Sequence, residues 1–100
     1  MNTSQLQTKI IEWAAERGIF EKATPIKQAF KTLEECGELI QAIAENDEAA
    51  IRDAIGDIMV TLVIQSAMNN FDIEGCLQDA YDVIKDRKGK MVNGTFVKEA

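Results

Sequence analysis

The chain is 100 residues long, enough for one domain and too short for two. Its composition, 46% hydrophobic and 28% charged, excludes a disordered chain, which lacks the apolar surface to offset its ordering entropy. A net charge of −6 makes a surface that DNA and RNA repel, so no nucleic-acid polymer is expected as a partner.

Leu6, Ile10, Trp13 and Ala14 recur at helical spacing behind Thr3 or Ser4 as a capping residue. They predict a first helix that runs to about Arg17 and ends at Gly18. Thr24-Pro25 then supplies a capping hydroxyl and a proline at the first helical position. The second helix reaches about Glu45, with Ile26, Phe30, Leu33, Gly37, Ile40 and Ala44 on one stripe. Asn46-Asp47 closes it and opens a third helix, from about Glu48 to Asn69. The centre of that helix, Ile58 to Ile64, is apolar around most of its girth, which implies more burial than one small bundle offers. An oligomer follows, a homodimer or a dimer of dimers, with the functional site near a subunit interface. Asp72 caps a fourth helix that ends near Arg87, with Ile73, Leu77, Ala80, Tyr81 and Ile84 inward. Residues 89–100 read as a tail with a turn at Asn93-Gly94. No linker interrupts the chain, so residues 1–100 form a single all-α domain, a four-helix-bundle-like subunit. The apolar run is too short to span a bilayer, so no membrane partner is expected. The first residues show no basic segment or apolar core of a signal peptide, and the cytoplasm is the expected compartment.

Histidine is absent, which removes Ser-His-Asp and Cys-His catalysis and the Glu-x-x-His ligand sets of di-iron bundles. The two cysteines, Cys36 and Cys76, make neither a disulfide framework nor a zinc site and read as small buried residues. Two segments echo each other 19 residues apart: Glu34-Glu35-Cys36-Gly37-Glu38-Leu39 and Asp53-Ala54-Ile55-Gly56-Asp57-Ile58. Glycine inside a helix costs about 1 kcal/mol relative to alanine. Close approach of the two helices at Gly37 and Gly56 would explain both glycines and bring the carboxylates together. Gln28, Lys31, Glu35 and Glu38 share one polar stripe. Asp53 and Asp57 are i, i+4 neighbours that repel unless a cation or a proton lies between them. Asp57 also borders the most apolar stretch, where an unpaired carboxylate is expensive. Carboxylates converging from two antiparallel helices make a hard-oxygen site suited to Mg²⁺ or Mn²⁺. The plainer alternative is an ordinary Lys31–Glu35 surface pair with Glu34 and Glu38 solvated.

With these residues in view, the sequence resembles the MazG-like, all-α nucleoside triphosphate pyrophosphohydrolases. The family pattern is Glu-Glu-x-x-Glu on one helix and Glu-x-x-Asp on the next. Glu34-Glu35-Cys36-Gly37-Glu38 matches the first half, preceded by Gln28 and Lys31. Gly56-Asp57 matches part of the second, with Ala54 where the family has glutamate. Arg87-Lys88-Gly89-Lys90 and Asn93 to Lys98 resemble the tail of small single-domain members.

The resemblance implies Mg²⁺-dependent cleavage of (deoxy)nucleoside triphosphates between the α and β phosphates, in nucleotide-pool house-cleaning. It implies Glu35, Glu38 and Asp57 as metal ligands, with Asp53 as a candidate substitute for the missing glutamate. Glu34 or Glu38 would accept the proton of the attacking water or position that water, since no histidine exists for that task, with Glu38 favoured as a ligand and Glu34 as the base. Lys31, Lys85, Arg87 and Lys88 are candidates for phosphate contacts, although basic residues at a helix C-terminus also suit the helix dipole. Gln28 is a candidate for a hydrogen bond to base or sugar. Trp13 could stack on a base, but its apolar helical position favours core packing. Two other classes stand beside this reading: a non-catalytic helical interaction module, and a nucleotide phosphatase with a different leaving group.

Overall fold

Helix starts in this chain are set by side-chain caps, and the first lies one residue ahead of the expected one. In a computed structural model describing all 100 residues, Asn2 Oδ1 accepts from the Gln5 amide at 2.8 Å. Gln5 Oε1 accepts from the Asn2 amide at 2.9 Å. This reciprocal pair satisfies two otherwise orphaned donors and opens α1 (Thr3–Glu16). Gly18, with φ +75°, reverses the chain into a one-turn helix, α2 (Ile19–Lys22), which periodicity did not foresee. Thr24 caps α3 (Pro25–Ala44) by accepting from the Lys27 amide at 3.3 Å, the start that Thr24-Pro25 signalled. Asp47 and Asp72 cap α4 (Glu48–Met68) and α5 (Ile73–Ile84) in the same way.

The expected tail is a β-hairpin, so the chain is mostly helical rather than purely so. Strands β1 (Gly89–Val92) and β2 (Thr95–Lys98) pair antiparallel, with Gly89 opposite Lys98 and Val92 opposite Thr95. The turn falls at Asn93-Gly94 as expected. Its two φ angles, +50° and +82°, suit the twist of a two-residue hairpin, and asparagine and glycine tolerate them.

Helices α3 and α4 form the centre of the fold, running antiparallel, and α1 packs against α4. Polar groups join them. Gln28 Nε2 donates to the Thr61 carbonyl at 3.1 Å, Thr32 Oγ1 donates to Thr61 Oγ1 at 2.9 Å, and Thr61 Oγ1 donates to the Ile58 carbonyl at 2.6 Å. The buried apolar core is small: Ala14, Ala42, Ala54, Val63 and Ile64.

Three expectations are corrected here. On α3 the polar stripe faces α4, with Gln28 and Glu35 buried, while Ile26, Phe30, Leu33 and Ile40 on the apolar stripe are 64–69% exposed. The helices do not approach at their glycines: a Cβ on Gly37 or Gly56 would meet nothing within 4 Å. On α5 no residue is buried, and Leu77, Tyr81 and Ile84 face outward rather than inward. The physical reason is shared: α5 makes just a small contact with α4, and the outer flank of α3 is left exposed. Nor are the cysteines both buried, since Cys36 is half-buried and Cys76 exposed.

A candidate metal centre between two helices

Glu35 and Glu38 lie one helical turn apart on α3, so both carboxylates leave the same side of the helix. The antiparallel pairing that joins Gln28 to Thr61 carries Asp57 of α4 to the level of Glu35. One carboxylate oxygen from each of Glu35, Glu38 and Asp57 lies within 4.8 Å of the other two. Glu35 is the buried member; Glu38 and Asp57 are exposed. Asp57 was expected to be the costly buried acid. It lies instead on the open flank of α4, beside a groove lined by Leu6, Ile10, Trp13 and Val60 of α1 and α4.

The electrostatics of the cluster are those of crowded acids. Glu35 Oε1 is 3.4 Å from Lys31 Nζ, but Glu35 Oε2 is buried with no hydrogen-bond partner. A buried carboxylate oxygen left unpaired is costly, and a divalent cation bound here would satisfy it. The Glu35 carboxylate beside Glu38, by hydrogen bonding and by repulsion, raises the Glu38 pKa above its usual 4.5. Glu35 and Glu34 together hold the Lys31 ammonium above its ordinary pKa. The donor set, three carboxylates with one orphaned oxygen and no thiol or imidazole, fits a hard divalent cation.

Beside Glu35 and Asp57, but not lined by Glu38, opens a cleft of about 460 Å³, within the range of small-ligand sites. Trp13, Lys27, Gln28, Lys31, Asp57 and Thr61 are on its wall. Trp13 is 45% exposed, so its core assignment is corrected: it stands at the cleft with the Arg17 guanidinium 5.4 Å from its ring centre. Gln28 lines the cleft but spends its amide hydrogen on the Thr61 carbonyl. Glu34 sits outside the cluster, 3.6 Å from Lys31, with its side chain 62% exposed. Asp53 is exposed and not a member of the cluster, and Ala54, beside it, is buried. Lys85 pairs with Asp82 at 3.6 Å, and Arg87 and Lys88 line hollows at the base of the hairpin, not the cleft. Lys27 and Thr61 are cleft residues that sequence reasoning missed, as it missed Arg17 beside Trp13, for which the i, i+4 spacing was the available signal.

Residues 24–92 match the MazG nucleotide pyrophosphohydrolase domain, which is more than half of the chain and includes all three clustered acids. The chain belongs to the MazG family. The family is one of nucleotide pyrophosphohydrolases that work with a divalent metal, and the acidic cluster of this MazG chain could bind one. It is also similar to an uncharacterized 18.2 kDa protein from the rep–hol intergenic region of Haemophilus phage HP1, 43% identical over 68 residues. The match spans 68% of this MazG chain but only 42% of the phage protein. No solved structure matches the chain. No helix is long and apolar enough to cross a membrane.

Proposed function

We propose that this MazG chain hydrolyses (deoxy)nucleoside triphosphates to the monophosphate and pyrophosphate, with Mg²⁺ or Mn²⁺, and so clears nucleotides from the cellular pool. The observation that carries the reading is the convergence of Glu35, Glu38 and Asp57, with one Glu35 oxygen buried and unpaired, beside a cleft that Glu35 and Asp57 line. Glu35, Glu38 and Asp57 would hold the cation, which when bound would supply charge neutralisation at the phosphates and Lewis acidity toward water. Glu38 accepts the proton of the water that attacks the α-phosphorus. Glu34 acts indirectly, by holding Lys31 at the rim of the cleft. Lys31, there, offsets phosphate charge that one cation leaves uncancelled. Trp13 offers an exposed ring for base stacking, and the buried Gln28 positions α3 against α4.

Chromatography of reactions with a panel of dNTPs and NTPs tests this reading. It predicts monophosphate plus pyrophosphate that require Mg²⁺ and disappear in both Glu35→Ala and Asp57→Ala. Diphosphate plus orthophosphate would instead make the protein a phosphatase. No turnover together with no Mg²⁺-dependent nucleotide binding by calorimetry would make it a non-catalytic helical module.

A further inference from the structure

We infer that Lys27 is the cleft residue that holds the outermost phosphate of a nucleoside triphosphate, and so distinguishes triphosphates from nucleotides with a shorter phosphate chain. The inference deepens the proposed function and rests on its placing of the α-phosphate at the acids. Lys27, Lys31 and Glu35 follow one another at intervals of four along α3, and all three line the cleft. At about 1.5 Å per residue, Lys31 lies about 6 Å and Lys27 about 12 Å along the helix axis from Glu35. No cation follows the acids on α3. A phosphate chain that starts at the acids is therefore drawn toward the N-terminal end of α3, where it meets Lys31 first and Lys27 last.

What marks Lys27 is a charge that is expensive and unspent. Lys31 stands 3.4 Å from Glu35 and 3.6 Å from Glu34, so two acids already draw on its charge. Lys27 has no ion-pair partner. The positions three and four residues away on either side hold Ala23, Thr24, Phe30 and Lys31, with no acid among them. Lys31, at i+4, repels it. Lys27 also falls in the first turn of α3, where the helix dipole disfavours a cation and no acidic residue offsets it. The side chain is exposed, so burial of its stem does not repay these costs. Within one chain this charge gives the fold nothing, and an anion in the cleft between Lys27 and Lys31 would turn both unfavourable contacts into favourable ones. The terminal phosphate is the part of a triphosphate with the most charge and the most free acceptor oxygens. A lysine ammonium, a compact charge with three donors, suits it.

Calorimetric titration with tripolyphosphate and with pyrophosphate, each in Mg²⁺, tests this without turnover and without a base. Wild-type protein should bind tripolyphosphate more tightly than pyrophosphate. Lys27→Met should weaken tripolyphosphate about tenfold, the worth of one charge-assisted hydrogen bond, and leave pyrophosphate nearly unchanged. Lys27→Arg should restore most of the loss. In thermal melts without ligand, Lys27→Met should melt above wild type, because it removes two unfavourable charge contacts; a lysine kept for the fold would give the opposite sign. In turnover assays the same substitution should raise KM for the triphosphate and leave kcat close to wild type. An equal loss for both probes, no loss for tripolyphosphate, or a lower melting temperature for Lys27→Met would overturn the inference. So would wild-type protein that binds neither probe. Mg²⁺-dependent release of pyrophosphate from nucleoside triphosphates, assayed beside these titrations, tells whether the proposed function falls with it or stands alone.

Discussion

Among the residues of the acidic cluster, Glu35 and Glu38 define its character, since the Glu35 carboxylate makes the charge of Glu38 expensive. Helical periodicity was enough to put these two acids on one side of α3, and the Gly-Asp match singled out Asp57. Which of the acids is buried was not legible, because burial depends on where α1 crosses α4, and spacing along α4 does not contain that. The raised pKa of Glu38 gives a signed prediction. Stability contributed by a group raised in the fold is fully present below its unfolded pKa, near 4.5, and is lost as pH rises through the folded value. In EDTA at neutral pH, thermal melts should therefore find Glu38→Gln more stable than wild type, with the difference shrinking as pH falls toward 4.5. Adding Mg²⁺ at neutral pH should reverse the order, because wild type gains a ligand that the amide cannot provide. Trp13 shows a different blind spot: an aromatic at an apolar helical position reads as core, and only the tertiary gap between α1 and α3 leaves it exposed.

For whole elements, the lesson of α3 is that its polar stripe holds the fold together. A reading that sends apolar residues inward assumes that the chain supplies its own interior, and here Ile26 to Ile40 find none within it. The caps at Thr24, Asp47 and Asp72 were legible because capping is local chemistry, decided within four residues. The hairpin after α5 was legible only at its turn, since four-residue strands are too short to show alternation. The Gln28 amide bridges α3 to the Thr61 carbonyl from a buried position. Gln28→Ala should therefore destabilise the protein by about 1 kcal/mol, the net worth of a typical buried hydrogen bond, as read by urea unfolding.

Taken as a molecule, the chain is a thin scaffold: two long antiparallel helices, one helix laid across them, and an arm of α5 and hairpin extending from the body. Such a scaffold places three carboxylates from two rigid helices rather than from loops, which keeps them in register without a large core. The function proposed for this chain comes down to one chemical act, hydrolysis at the α-phosphorus of a nucleoside triphosphate. The measurement that tests it most directly is turnover in ¹⁸O-labelled water with Mg²⁺, followed by mass spectrometry of both products. Attack at the α-phosphorus predicts one ¹⁸O in the nucleoside monophosphate and none in the pyrophosphate. Label in the pyrophosphate, or label released as orthophosphate, would contradict the account.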